Sequence, residues 1–114
     1  MLPRLPFKAM KEAALGKAYE LTVTIISASE IRALNKAYRN IDEPTDILSF
    51  PLSKTEGEIY ICPAMTRLEA KKFERDYENF FAFLFIHGCT HLKGYEHGDT
   101  MERQEIKIRK QFNV

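Results

Sequence analysis

From Glu78 to Lys93 the chain reads Glu-Asn-Phe-Phe-Ala-Phe-Leu-Phe-Ile-His-Gly-Cys-Thr-His-Leu-Lys, apolar on nearly every side of a helix. A helix without a polar face is stable in water only when other elements enclose it. The chain has 114 residues, enough for one hydrophobic core and not two. This segment therefore predicts a central buried helix in a single domain over residues 1–114, with Gly94 at the C′ position that ends it. The run Phe80 to Ile86 is too short to cross a bilayer, and Met1-Leu-Pro-Arg-Leu-Pro-Phe-Lys8 has no continuous apolar stretch of the signal-peptide kind. A cytoplasmic protein with no membrane partner is the expectation. No exposed apolar stripe is evident, so a monomer is expected.

The rest of the chain supplies what encloses that helix. Phe7, Met10, Ala14 and Leu15 share one face of a short first helix that Gly16 stops. Glu20 to Ile26 alternates as a strand, with Leu21, Val23 and Ile25 on one side. Ser27 and Glu30 have capping-box spacing ahead of a helix whose stripe is Ile31, Leu34 and Tyr38. Ile47 to Pro51 and Glu58 to Cys62 read as two more strands, and Pro63 opens a helix carrying Met65, Leu68 and Phe73. Asp99 and Glu102 repeat the capping-box spacing before a last helix with Met101, Ile108 and Phe112. The fold class is α+β: a small mixed sheet packed with helices.

Cys62 and Cys89 are too few for a disulfide framework and read as two buried thiols in a reducing compartment. The formal net charge of +1 excludes nothing, because it averages unlike segments. Residues 1–19 carry +3 and residues 100–114 carry +2, whereas residues 40–60 carry −4. Basic ends of this kind can follow a phosphate backbone, and solvated helix faces explain them equally well. Tyr38, Tyr60 and Tyr95 are candidates to stack on unpaired bases, although core packing is the commoner role of an aromatic at such spacing.

The chain has three histidines, His87, His91 and His97, all within one short stretch. On a helix His87 and His91 project from one face, about 6 Å apart along the axis and about 40° apart around it. Gly94 lets the chain turn back and bring His97 to the same point. Three neutral imidazoles with a fourth position open are the ligand set of a catalytic zinc, and one Zn²⁺ per chain is the expected cofactor. Nickel, cobalt and copper also suit three imidazoles. Cys89 points away from the histidine face, which disfavours a closed four-ligand structural site.

The spacing His-x-x-x-His-x-x-Gly-x-x-His copies the metzincin protease signature, but the general-base glutamate of such proteases is replaced by Gly88. Glycine can neither take a proton from water nor pass one to a leaving amine. A metzincin-like metalloprotease is thus one alternative, and a non-catalytic binding module braced by zinc is another.

The segment His87-Gly-Cys-Thr-His-Leu-Lys-Gly-Tyr-Glu-His97 resembles the signature of the YbeY-type endoribonucleases, the bacterial rRNA maturation factors, which is usually His-Gly-x-Leu-His-Leu-x-Gly-Tyr-Asp-His. Leu34-Asn-Lys-Ala-Tyr-Arg-Asn-Ile-Asp-Glu-Pro-Thr-Asp-Ile-Leu-Ser-Phe-Pro51 is similar to that family's second hallmark, and Gly57-Glu-Ile-Tyr-Ile-Cys62 to its Gly-Asp-Ile-x-Ile-Cys strand. The resemblance runs from about Leu21 into the last helix. Thr90 and Glu96 depart from the usual residues, and both ends are shorter than is common. It implies a single-strand-specific endoribonuclease acting in 3′-end maturation of small-subunit rRNA and in ribosome quality control. Single-stranded rRNA and the small ribosomal subunit are then the implied partners, and the non-catalytic alternative becomes a zinc-braced ribosome-binding module. His87, His91 and His97 match the metal ligands, and Arg39 matches the functional arginine.

Chemically, a zinc ion makes hydroxide available near neutral pH without a strong protein base, which suits the glycine at position 88. Arg39 offers a planar fork for a phosphodiester, or else pairs with Asp42 or Asp46. Glu96 is a candidate to orient an imidazole from behind, or is a solvated turn residue. Thr45 and Ser49 are expected only to wall the cleft.

Overall fold

The computed structural model describes residues 3–94 and 99–114. Five helices and three strands follow in the order α1 (Phe7–Leu15), β1 (Glu20–Ile25), α2 (Ala28–Arg39), β2 (Ile47–Ser53), β3 (Glu56–Ile61), α3 (Pro63–Lys72), α4 (Tyr77–Leu92) and α5 (Asp99–Gln111). The sheet order is β1-β3-β2, with β1 parallel and β2 antiparallel to β3. This is the mixed-sheet α+β architecture that the hydrophobic patterns predict.

α4 is the centre of the molecule. It begins at Tyr77 because the Asp76 carboxylate caps it, accepting from the Asn79 N–H at 3.1 Å. It ends at Leu92, and Gly94 leaves the helix at φ +93°, a conformation open to glycine. Phe81, Phe85, Ile86 and Cys89 are enclosed together with Met10 of α1, Ile59 and Ile61 of β3, and Ile108 of α5. The helix is packed by α1, α3, α5 and β2, so most of its apolar surface is covered, and the strip with Phe83, His87 and His91 is only half-buried. Both cysteines are buried free thiols, and burial pushes the Cys89 thiol up to about 12. No helix among the described residues is long and apolar enough to cross a membrane.

The capping box at α2 forms as its spacing predicts: Ser27 Oγ accepts from the Glu30 N–H at 3.2 Å and Glu30 Oε1 from the Ser27 N–H at 3.1 Å. The stripe behind it differs from expectation. Ile31 is buried, but Tyr38 is 69% exposed and lies against Phe50, ring centroids 5.2 Å apart. Asn35 is buried instead, its Nδ2 donating to the Glu43 carbonyl at 2.9 Å. A buried amide is stable there because the incoming loop supplies an acceptor.

Two other apolar patterns are only partly expressed. In β1, Leu21 packs against the core while Val23 and Ile25 are exposed at the edge of the sheet. In α3 the contact with α4 is made by the small residue Ala70, packed on Phe80 and Leu84, and by Arg67 over the Tyr77 ring. This leaves Leu68 exposed and Phe73, just past the helix, with only one side against Phe80. The capping expectation at Asp99 rests on a side chain outside the described residues.

Candidate functional site

An open cleft of about 1080 Å³ runs between α4, β2 and the ends of α2 and α3. Arg39, Thr45, Ser49, Gly88, His87 and His91 all border it. The fold thus brings the hallmark around Arg39 against the histidine-bearing turns of α4. His97 and Glu96 lie outside the described residues, as does Tyr95.

The two histidines sit one helical turn apart and face each other. Their Nε2 atoms are 3.1 Å apart and their rings meet edge to face at 4.7 Å between centroids. Two nitrogens that share one tetrahedral zinc stand about 3.3 Å apart, so this spacing fits joint ligation of one ion. The other side of His87 is held by Glu105 of α5, whose Oε2 is 3.0 Å from His87 Nδ1. A carboxylate at Nδ1 keeps the proton there and turns an Nε2 lone pair toward His91, the tautomer that binds metal. Among the described residues no group of three or more His, Cys, Asp or Glu side chains is arranged to hold an ion. The donor set present is a matched imidazole pair with its supporting carboxylate.

Glu105 was not singled out by the sequence reading, yet a signal for it exists. It lies on the buried face of α5, four residues after Met101 and three before Ile108, and its side chain is only 10% exposed. A carboxylate in an apolar stripe needs a partner, and here the partner is His87.

Arg39 is the last residue of α2. Asn40 follows in the left-handed conformation at φ 58° and its N–H closes the helix on the Asn35 and Lys36 carbonyls. The alternative partner Asp42 is engaged elsewhere, with Arg32 Nε at 2.9 Å and Lys36 Nζ at 4.0 Å. Among the described residues no carboxylate pairs with Arg39, so its guanidinium borders the cleft with its donors uncommitted to an ion pair. Asp46, on the wall beside it, is partly buried, and burial raises its carboxyl above the ordinary range. That limits the negative charge this wall presents to an anion.

Gly88 has a structural role beyond the lack of a base. A Cβ there would stand 2.9 Å from Ile47 Cδ1, 3.0 Å from Ser49 Oγ and 3.2 Å from Ile59 Cδ1. Close contact of α4 with the sheet therefore depends on glycine at this position. Gly88→Glu is expected to destabilise the fold by about 3 kcal/mol or more, through overpacking and a charge forced into an apolar contact. Thermal unfolding should show a melting temperature lower by about 10 °C or more. A variant that melts with wild type would contradict this packing.

An α+β domain in which one cleft is bordered by a facing imidazole pair and, among the described residues, by a guanidinium outside any ion pair carries the residue types that an ion beside an anionic group requires. Similarity to known proteins gives the class. The family model described as endoribonuclease YbeY matches residues 5–113, and the chain belongs to that family of nucleases. An endoribonuclease YbeY of Sulfurimonas denitrificans is 41% identical over 106 residues, covering 87% of this chain and 75% of the relative. One from Francisella philomiragia is 36% identical over 99 residues, covering 77% of this chain and 63% of the relative. The solution structure of TM1509 from Thermotoga maritima superposes with a TM-score of 0.66 at 30% identity, over 93% of this chain and 78% of that one.

Proposed function

We propose that this chain is a zinc-dependent endoribonuclease that cuts single-stranded RNA during rRNA processing, at the 3′ end of small-subunit rRNA, and serves ribosome quality control. The observation that carries the reading is one cleft holding two facing Nε2 atoms, a carboxylate behind one of them and an arginine without an acidic partner among the described residues. His87 and His91 would hold the ion, with His97 as the proposed third ligand and Glu96 as a proposed auxiliary group. When bound, the ion supplies Lewis acidity and lowers the pKa of water. Arg39 would grip the scissile phosphodiester with two donors and stabilise the extra charge of the transition state. Glu105 would keep His87 in its ligating tautomer. One zinc per chain, a monomer, the cytoplasm and the small ribosomal subunit as partner belong to the same proposal.

Membership of a nuclease family supports RNA over peptide as substrate, and so does the packing at Gly88, where a protease's glutamate has no room. The test incubates the chain with single-stranded rRNA fragments and with an unstructured protein, with zinc and with a chelator. Cleavage of RNA alone, stopped by the chelator, is expected. Proteolysis without RNA cleavage would favour the metzincin-like reading. Neither activity, with retained co-sedimentation on small ribosomal subunits, would favour the zinc-braced module.

Glu105→Gln probes the supporting carboxylate. The amide keeps an acceptor for His87 Nδ1 but loses the charge, so zinc affinity is expected to fall about 10- to 100-fold with little change in melting temperature. Competition against a chromogenic chelator measures it. Unchanged affinity would remove Glu105 from the site.

A further inference from the structure

One turn of α4 before His87, about 6 Å along the axis, the cleft holds a second cationic feature with no part in the scheme above. The Arg75 guanidinium carbon lies 4.9 Å from the Phe83 ring centroid and that of Arg109 lies 4.8 Å from the same centroid. Phe83 in turn meets His87 edge to face at 6.0 Å. Among the described residues neither arginine has a carboxylate partner, and Glu105, one turn before Arg109 on α5, is committed to His87. Arg109 Nε is buried and has no hydrogen-bond partner among the described residues.

Arg75 is fixed rather than free: its N–H donates to the Ala70 carbonyl at 2.8 Å, and its guanidinium donates to Asn79 Oδ1 and also reaches the Phe80 ring. Burial, and then the charge of Arg109, both lower its proton affinity, which marks an unrelieved concentration of positive charge. Two permanently charged guanidinium groups gathered on one ring are stabilised most effectively by an anion. Beside them Phe73, 61% exposed, lies over Phe80 with ring centroids 6.1 Å apart and borders the same cleft. Its open face is an aromatic platform next to a phosphate-type donor, the pairing that single-stranded nucleic acid requires.

We infer that Arg75, backed by Arg109 and flanked by Phe73, forms a second nucleotide subsite, which binds a backbone phosphate and base of the same RNA strand whose scissile phosphate lies at the histidines and Arg39. The inference rests on the endoribonuclease reading of the cleft. Arg75 is a binding and positioning residue there: it sets where along the strand the cut falls and leaves the chemistry to the histidine end.

The test measures affinity of the full chain for a short fluorescent single-stranded RNA by anisotropy across a salt series, together with KM and kcat for its cleavage by the zinc-loaded chain. Arg75→Ala is expected to weaken binding about ten-fold and to make the salt slope shallower by about 0.7, the contribution of one phosphate contact to a single strand. KM should rise with it, while kcat falls far less. Arg75→Lys should keep the slope and lose part of the affinity, because charge is retained and the fork is lost. Phe73→Ala should weaken binding by about five-fold or more with the slope unchanged, since stacking releases no counterions. Should Arg75→Ala fail to fold, Arg75→Lys and Phe73→Ala still decide the matter. Wild-type affinity and slope in folded Arg75→Ala and Phe73→Ala, with wild type cutting RNA, would overturn the subsite alone. A wild type that neither binds nor cuts RNA would overturn both the subsite and the activity it rests on.

Discussion

His91→Ala is expected to bring metal content from about one ion per chain to background and to reduce RNA cleavage by about a thousand-fold or more. In the proposed site the facing nitrogens of His87 and His91 would share the ion, so removing one leaves His87 as the single imidazole of α4 at that point. An ion that polarises a phosphoryl oxygen and activates water contributes several kcal/mol to the transition state, and about 4 kcal/mol corresponds to a factor of about 10³. The fold should survive. His91 borders the open cleft rather than the enclosed core, and alanine is the best helix former. Metal analysis of the purified variant and a gel assay on single-stranded rRNA fragments read the two losses, and a chelator on wild type should reproduce them. Full metal content in His91→Ala would remove the histidine site from the account.

Arg39→Ala should separate binding of the ion from stabilisation of the phosphate. The expected result is wild-type metal content and melting behaviour with kcat/KM lower by about 10²- to 10³-fold, the usual loss when one donor to a developing oxyanion is removed. Stability should change by only a few tenths of a kcal/mol: Arg39 is exposed, forms no ion pair among the described residues, and contributes chiefly as a cation at the end of α2. Arg39→Lys should recover a part of the activity, because charge remains and the bidentate fork does not. Cleavage by Arg39→Ala at the wild-type rate would assign the guanidinium to the wall of the cleft and leave the ion as the sole source of charge stabilisation.

The two predictions differ in how early their residues could be found. His87 and His91 are legible from spacing, because residues four apart on a helix are neighbours whatever else the chain does. The helix itself is legible because Phe80 to Ile86 leave it no polar face. Arg39 comes to notice through the hallmark around it, but what frees it for an anion is the engagement of Asp42 by Arg32 and Lys36 on the preceding turns of α2. Glu105 was hidden for a different cause. Its place in the stripe with Met101 and Ile108 shows that it is buried, but not which residue satisfies it. That is settled by the crossing of α5 over α4, which brings together residues 18 apart in the chain.

The same division explains the apolar stripes that the fold buries only in part. Ile31 and Tyr38 share an apolar stripe, and Met65, Leu68 and Phe73 share another, but hydrophobicity along a helix does not say how wide the facing surface is. α3 meets α4 through Ala70, so Leu68 stays outside and Phe73 touches Phe80 from the surface, and Tyr38 lies exposed against Phe50 rather than in the core. Gly88 shows the two levels in one residue. In the sequence it is the absence of a protease base, and in the fold it is the space that Ile47, Ser49 and Ile59 require.

What the sequence determined by itself was everything carried by local periodicity: the enclosed helix, its stop at Gly94, the mixed α+β order of elements and the histidine pair. What only the tertiary structure decided was which distant groups meet that pair: Glu105 behind His87, an unpaired Arg39 across the cleft, and Arg75 with Arg109 on Phe83. Spacing along one helix is set by backbone geometry. Contacts between helices are set by side-chain volume and by how closely two surfaces can approach, and no single segment contains that information.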